Sequence, residues 1–322
     1  MDLSGLRRFL IVVIALTFFA GGCKRSEKTA IEGDDLVGTI TISGAWALYP
    51  MVIRWSEEFQ KIYPNVAFDI SAGGAGKGMA DALAGAADIG MVSREIYPEE
   101  VARGAFWVSV TKDAVFLTVD ENNPVWDVLH KQGIKQQTLI DIYITGEVVN
   151  WGQVTGNSDN SDLIHVFTRS DACGAAATWA KYLGGAQEDL LGVGVYGDPG
   201  LLLAVDKDPL GMGYNNLNFA FDMDTGLPVT GVHIVPLDVN ENGQADPDEI
   251  YDTKVQAVEA VASGRYPSPP TRDLNFVTQG QPVGLIKSFI VWVMTDGQGY
   301  VEEVGYIPLQ EDMLSEELAK LD

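Results

Sequence analysis

The chain has 322 residues, 45 of them acidic and 21 basic, for a net charge of −24 at pH 7, and 46% of its residues are hydrophobic. So negative a surface excludes nucleic acid as a partner, because phosphate backbones reward clustered Lys and Arg. With only two cysteines there is no disulfide framework, so the chain must hold itself together by buried apolar surface, and it is long enough to do so in two lobes.

At the start of the chain, Arg7 and Arg8 precede an apolar run from Phe9 to Ala20. That run is too short for a permanent membrane helix. Ala20, Gly21 and Gly22 then lead to Cys23. The order predicts a secretory signal over residues 1–23 that resembles the bacterial lipobox, with Cys23 as the lipidated residue. Residues 24–35 read as a polar tether. Processing at Cys23 removes Arg7, Arg8 and Asp2 and leaves 19 basic against 44 acidic residues, net −25. The expected location is the periplasm or cell surface, with the membrane engaged through the lipid anchor only.

From Thr39 strands and helices alternate. Thr39–Ser43 is a short β-branched strand broken by Gly44. Leu48, Val52, Trp55, Phe59 and Ile62 then form one apolar stripe at helical spacing, which Pro64 ends. Val66–Ile70 is the next strand, Ala72–Gly78 a glycine-rich loop, Met79–Ala86 a short helix and Asp88–Val92 a third strand. Such alternation predicts the α/β class with a largely parallel sheet.

Ala114–Pro124 reads as a strand leaving the first lobe. Trp126–Pro228 reads as a second α/β unit, with a strand running into a loop at Leu163–Asp171, a helix at Ala175–Leu183 stopped by Gly184–Gly185, and a turn and strand at Gly211–Phe221. The division expected is lobe 1 over 36–120, lobe 2 over 121–228, and a return to lobe 1 over 229–322.

Three turns share one design. At Gly44–Tyr49, Ala72–Gly78 and Asp171–Ala175 a strand ends, small residues intervene and a helix starts. A helix N-terminus carries unpaired N–H groups and partial positive charge, so several converging on a cleft make an anion site. Arg169 adds a planar fork of donors suited to a tetrahedral oxyanion. Glycine at these turns also serves helix–sheet packing, whatever binds there.

These segments resemble the phosphate-binding proteins of ABC transporters, the type II periplasmic binding proteins. "SGAWALYP" is similar to that family's first anion loop and "SAGGAGKGMADALAGAADIGMVSRE" to its second loop and following strand. "TRSDACGAAATWAKYL" resembles its Arg-Ser-Asp-Gly-Ser-Gly-Thr segment, and "GMGY" and "VEEVGYIPL" match marks nearer the C-terminus. The resemblance spans about residues 38–310. It implies two Rossmann-like lobes joined by hinge strands, closing over a ligand and passing it to ABC permease subunits. It assigns ligand contacts to Ala47, Leu48, Tyr49, Gly74, Ala75, Gly76, Ser93, Arg94, Arg169, Asp171, Cys173, Gly174 and Ala175, with Arg94 a possible second guanidinium and Asp171 either a proton acceptor or a helix cap. Leu48 and Ala75 stand where the family carries hydroxyls, as do Cys173 and Ala175. Each lost hydroxyl bond to a charged group removes on the order of 1 kcal/mol, so phosphate is the expected ligand in an altered pocket. No enzymatic chemistry is expected; a ligand sensor on the same fold, or an enzyme built on Cys173, are the alternatives. Cys173 is expected as a small filler, because a catalytic thiol needs a base and only His130, His165 and His233 exist. "GAGKGM" lacks the Lys-Ser/Thr pair of a nucleotide-binding loop.

Asp238–Glu249, "DVNENGQADPDE", fits the twelve-residue calcium loop. Asp238, Asn240, Asn242, Gln244, Asp246 and Glu249 fall at its ligand positions 1, 3, 5, 7, 9 and 12, and Gly243 makes the turn at 6. A single structural Ca2+ is expected there.

Overall fold

A computed structural model describes residues 36–322. The expected signal, Cys23 and the tether lie outside the described residues. Among those described, no helix is long and apolar enough to cross a membrane.

The chain opens with β1 (Gly38–Gly44), α1 (Tyr49–Ile62), β2 (Val66–Ala72), α2 (Ala75–Ala84) and β3 (Ile89–Val92). β1 lies parallel to both β2 and β3. The stripe on α1 is buried as its spacing predicts: Trp55 and Phe59 are fully enclosed, and Trp55 Nε1 donates to the Gly297 carbonyl at 2.7 Å. α2 sits hard against this sheet. A Cβ on Gly78 would lie 2.4 Å from the Met91 carbonyl oxygen, so no larger residue fits there. Gly78 thus has the packing role.

After α3 (Pro98–Ala102) comes β4 (Ala105–Asp120), which starts well before the expected Ala114. Its sixteen residues span both lobes. The first part pairs antiparallel with β9 (Thr271–Gln279), and the last part pairs with β7 (Gly211–Asn216) and β8 (Val232–Ile234). β4 and β9 are therefore the two strands that join the lobes. The register shifts between Ser109 and Thr111, the irregularity of a β-bulge, which bends and twists a strand.

Lobe 2 continues with α4 (Trp126–Gln132), α5 (Gln136–Ile140), α6 (Trp151–Thr155), β5 (His165–Arg169), α7 (Gly174–Tyr182), β6 (Val193–Val195) and α8 (Gly197–Asp206). β5 lies parallel to β6 and β7. Where a turn and then a strand are expected over Gly211–Phe221, the strand β7 comes first and leads into a short helix, α9 (Leu217–Ala220), and α10 (Lys254–Ala262) follows β8. β9 returns the chain to lobe 1 for α11 (Gly284–Met294) and α12 (Glu311–Ala319). The sheet order is β2-β1-β3-β9-β4-β7-β5-β6, with β8 paired to β4 off that path.

Two hydrophobic cores mirror this division. One gathers Trp55, Phe59, Phe276 and Phe289, the other Phe116, Trp151, Trp179 and Tyr214. The second also contains Ile234, Leu237, Tyr251, Ala257 and Tyr266. This corrects the expected boundary: the stretch from 229 to about 266, with the calcium-type loop inside it, belongs to lobe 2. β8 pairs with the far half of β4, and only β9 carries the chain back.

Candidate functional site

Two helix N-termini from opposite lobes meet at the seam. α2 begins after Gly74, whose φ of +93° suits glycine, and α7 begins after Cys173. A Cβ on Gly174 would stand 2.1 Å from the Ser93 carbonyl oxygen and 2.2 Å from Ser93 Oγ. A Cβ on Gly74 would stand 2.8 Å from the Ala172 carbonyl oxygen and 2.9 Å from Asp171 Oδ2. Gly76 N donates across the seam to that same Ala172 carbonyl at 3.0 Å. Glycine at 74 and 174 lets the two lobes approach to backbone contact. The first amides of each helix have no acceptor within their own helix, so they supply donors at this junction.

The third turn, Gly44–Tyr49, lies in lobe 1, where Trp46 packs against Gly197 of lobe 2. Ala47 and Leu48 are buried in a short helical turn, and half-buried Tyr49 opens α1. Tyr306 Oη donates to the Ala47 carbonyl at 2.6 Å, fixing that turn from behind. Leu48, Ala75, Ser93, Cys173, Gly174 and Ala175 are all buried. Of these six residues only Ser93 carries a hydroxyl, and Asp171 brings a carboxylate oxygen to Gly74.

Cys173 is the N-cap of α7, its sulfur accepting from Ala176 N at 3.3 Å. Burial pushes its thiol up to about 12, and the neighbouring Arg169 only partly offsets that. No imidazole activates it: His165 pairs with Asp208 at 2.7 Å and His130 with Asp252 at 2.9 Å, while His233 stacks on Trp126 with ring centres 3.9 Å apart.

Arg169, at the end of β5, is not an open fork. Its side chain is fully buried. Nε donates to Asp171 Oδ1 at 2.8 Å, Nη2 to Asp171 Oδ2 at 2.6 Å and Nη1 to Asp198 Oδ2 at 2.6 Å. Burial works against the guanidinium charge, but the negative neighbours, Asp198 foremost, more than offset it and keep Arg169 protonated. Asp171 neither caps α7 nor stands free; besides Arg169 it accepts from Gly197 N at 3.2 Å.

Asp198, in the first turn of α8, escaped the sequence reading. Its other oxygen accepts from Asn216 Nδ2 at 2.7 Å. Asn216 accepts in turn from Arg272 Nη2, which also donates to Asp113 Oδ2 at 3.1 Å. A buried polar chain thus runs from the seam to the joining strands β4 and β9. Burial pushes the Asp113 carboxyl up to about 6, with Arg272 opposing. The available signal was a fourth strand-to-helix turn, Tyr196-Gly197-Asp198, with Gly197 at φ +74°.

The expectation for Arg94 is corrected. It bonds Glu100 through both terminal nitrogens at 2.7 and 3.0 Å and lies 4.4 Å over the Tyr97 ring. The Glu100 carboxylate, six residues on in the first turn of α3, satisfies the guanidinium locally. Arg94 lines a cavity of about 650 Å3 between the lobes, with Trp107, Lys181 and Arg272.

The calcium-type loop lies between β8 and α10. Asp238 accepts from Asn242 N at 3.0 Å and Gly243 N at 2.9 Å; Glu249 accepts from Val239 N at 2.8 Å and Asp246 N at 3.0 Å. Asn240 and Asn242 direct amide nitrogens at Asp246, and Gln244 N donates to the Asn242 side-chain oxygen at 2.8 Å. Gly243 takes φ +82°. Among the described residues, no three His, Cys, Asp or Glu side chains are grouped to hold a metal ion.

A family model described as the PBP superfamily domain matches residues 29–297. The phosphate-binding protein PstS of Bacillus subtilis (strain 168) is 26% identical over 302 residues, covering 91% of this chain and 88% of that protein. The phosphate-binding protein PstS of Methanocaldococcus jannaschii is 24% identical over 377 residues, covering 96% and 94%. Among solved structures, a Clostridium perfringens protein with bound phosphate superposes with a TM-score of 0.69 at 24% identity, covering 85% of this chain and 100% of that one. An ABC-type phosphate transport receptor from Vibrio cholerae gives a TM-score of 0.60 at 19% identity, covering 84% and 100%. At these identities the solved structures share the fold.

Proposed function

The chain belongs to the PBP superfamily, and from that membership we propose that it is the solute-binding component of an ABC importer, holding phosphate or a related oxyanion between its lobes. One observation carries the reading. The N-termini of α2 and α7 come from different lobes and meet at glycines in backbone contact, so an anion held by their amides would tie the lobes together. The phosphate-binding names of the Bacillus subtilis and Methanocaldococcus jannaschii relatives point the same way. Binding is the whole of the reaction. The buried thiol of Cys173 has no base, so the cleft has the parts of a receptor rather than of a covalent enzyme.

Calorimetric titration with phosphate, arsenate and sulfate tests this. Heat and a rise in melting temperature are expected with phosphate or arsenate. A panel silent at millimolar concentrations would remove the reading. Delivery to permease subunits, and attachment to the membrane through lipidated Cys23, complete the proposal. Replacing Cys23 with Ala should release the protein from the membrane fraction.

The reading includes one structural calcium ion in the Asp238–Glu249 loop. What supports it is the donor set: carboxylates at Asp238, Asp246 and Glu249, side-chain amides at Asn240 and Asn242, and the Gln244 backbone oxygen suit a hard cation. To admit it, Asp238 and Glu249 must trade their backbone N–H partners for the ion. Calcium should raise the melting temperature of the wild type and leave Glu249→Gln unchanged. An identical rise in both proteins would refute the site.

A further inference from the structure

We propose that Gln187 is a positioning residue of the anion site: its side-chain amide clamps the loop before α7 so that the Gly174 and Ala175 amides stay free for the ligand. The inference rests on the oxyanion reading above and concerns the same cleft.

A helix leaves its first four N–H groups without intrahelical acceptors, and each is either engaged by a cap or open to a ligand. At the start of α7 the two kinds can be told apart. Cys173 N donates to Gln187 Oε1 at 3.2 Å, and Ala176 N donates to the Cys173 sulfur at 3.3 Å. Ala177 N donates to the Cys173 carbonyl at 3.1 Å, the first bond of the helical ladder. Between these engaged donors, the Gly174 and Ala175 amides have no protein acceptor among the described residues. Two adjacent open amides at one helix start are a pair of donors for an oxyanion.

α7 would lose one of that pair by winding two residues further back. Ala175 N would then donate to the Asp171 carbonyl, its acceptor four residues before. Gln187 prevents this. Its Nε2 donates to the Asp171 carbonyl at 2.7 Å while its Oε1 holds Cys173 N, and Cys173 stays extended at φ −129° and ψ 151°. One side-chain amide is thus engaged on both sides by the peptide groups that bracket Ala172. The Ala172 carbonyl is left to accept from Gly76 N across the seam at 3.0 Å. A single side chain therefore fixes the helix start, its open amides and the contact with α2. Gln187 is itself held in place. It lies in a helical turn, Gln187–Asp189, where Ala186 N donates to Asp189 Oδ2 at 2.8 Å and Leu190 N to the Gln187 carbonyl at 3.2 Å. Buried Leu190 ties that turn to the core of lobe 2.

Methionine at position 187 keeps the length of the side chain and removes both hydrogen bonds. The loop must then be ordered at the moment of binding, and ordering even one residue costs about tenfold in affinity. Phosphate calorimetry on Gln187→Met should therefore show a loss of about tenfold or more. Gln136→Met is the control, because Gln136 Nε2 donates to the Tyr182 carbonyl and braces the far end of α7 with the same chemical group. It should bind within about twofold of wild type. A readout that a general loss of stability would not move comes from the amide resonances of the wild type. On titration with phosphate, Gly174 and Ala175 should shift more than Cys173, which is bonded to Gln187, and more than Ala176, which is bonded to sulfur. Where Gln187→Met does not fold, this titration decides alone. Wild-type affinity in Gln187→Met, an equal loss in Gln136→Met, or a Cys173 shift as large as that of Gly174 overturns the inference and leaves the oxyanion reading standing. No phosphate binding by the wild type removes the oxyanion reading and this inference with it.

Discussion

Gly174→Ala should abolish tight ligand binding while leaving the fold intact. The added methyl would sit 2.1 Å from the Ser93 carbonyl oxygen and 2.2 Å from Ser93 Oγ, where real Cβ atoms do not come closer than 3.0 Å. The nearer neighbour is backbone at the end of β3, so it cannot swing aside as a flexible side chain would. The seam must therefore open by about 1 Å at this point, against an interior packed too densely to absorb the shift. Opening takes the α7 amides out of reach of an anion held at α2. Losing two charge-assisted bonds of about 1.5–3 kcal/mol each predicts a loss of affinity of more than about 100-fold. Stability should fall by about 1–3 kcal/mol, the usual cost of overpacking a dense contact, without loss of the fold, because the clash sits at the seam and not within either core. The assay is phosphate calorimetry beside a thermal melt, with small-angle scattering to compare the separation of the lobes. Gly299→Ala, at a position with nothing within 4 Å of the new methyl, is the control. Binding within threefold of wild type by Gly174→Ala would refute the reasoning, because the Ser93–Gly174 contact would then lie outside the ligand site.

Three further outcomes follow from the buried groups. The Asp113 carboxyl is pushed up from 3.8 to about 6, so the folded state prefers it protonated; its contribution to stability is full below about pH 4 and is lost as pH rises through about 6. Urea unfolding of Asp113→Asn should lack the loss the wild type shows over that interval, a difference on the order of 1–3 kcal/mol; parallel pH curves would exclude Asp113 as its source. Cys173, with its thiol pushed up to about 12, should resist alkylation in the folded protein at pH 8 and react readily once unfolded; equal rates in both states would contradict its burial. Trp55→Ala should cost about 3–5 kcal/mol by emptying the core of lobe 1, whereas a cost under 1 kcal/mol in chemical denaturation would mean that the α1 stripe does not anchor that lobe.

Much of lobe 1 was legible from the residues in order. The stripe from Leu48 to Ile62 is a helix because apolar residues at that spacing share one face, and the short β-branched runs around it pair as strands. The glycine-rich loop was legible as a site of close approach, though not which approach. Gly78 packs α2 on the sheet, whereas Gly74 and Gly76 meet the other lobe. Residues 229–266 were misassigned because short strand and loop signals say nothing about which half of a sixteen-residue strand they will join.

The charge balance at the cleft was the least legible of all. Arg169 and Asp171 are two residues apart, but Asp198 lies 29 residues from Arg169 and Arg94 was free on paper to join either. Hydrophobic period, turn chemistry and the order of small residues are local properties, so the amino-acid sequence by itself determined the α1 stripe, the short strands of lobe 1 and the places where strands turn into helices, although α2 starts at Ala75 and not at Met79. Which carboxylates neutralise a buried guanidinium, and which glycines touch across the seam, depend on strand order and lobe closure. Those bring together atoms the chain keeps far apart, and only the tertiary structure decided them.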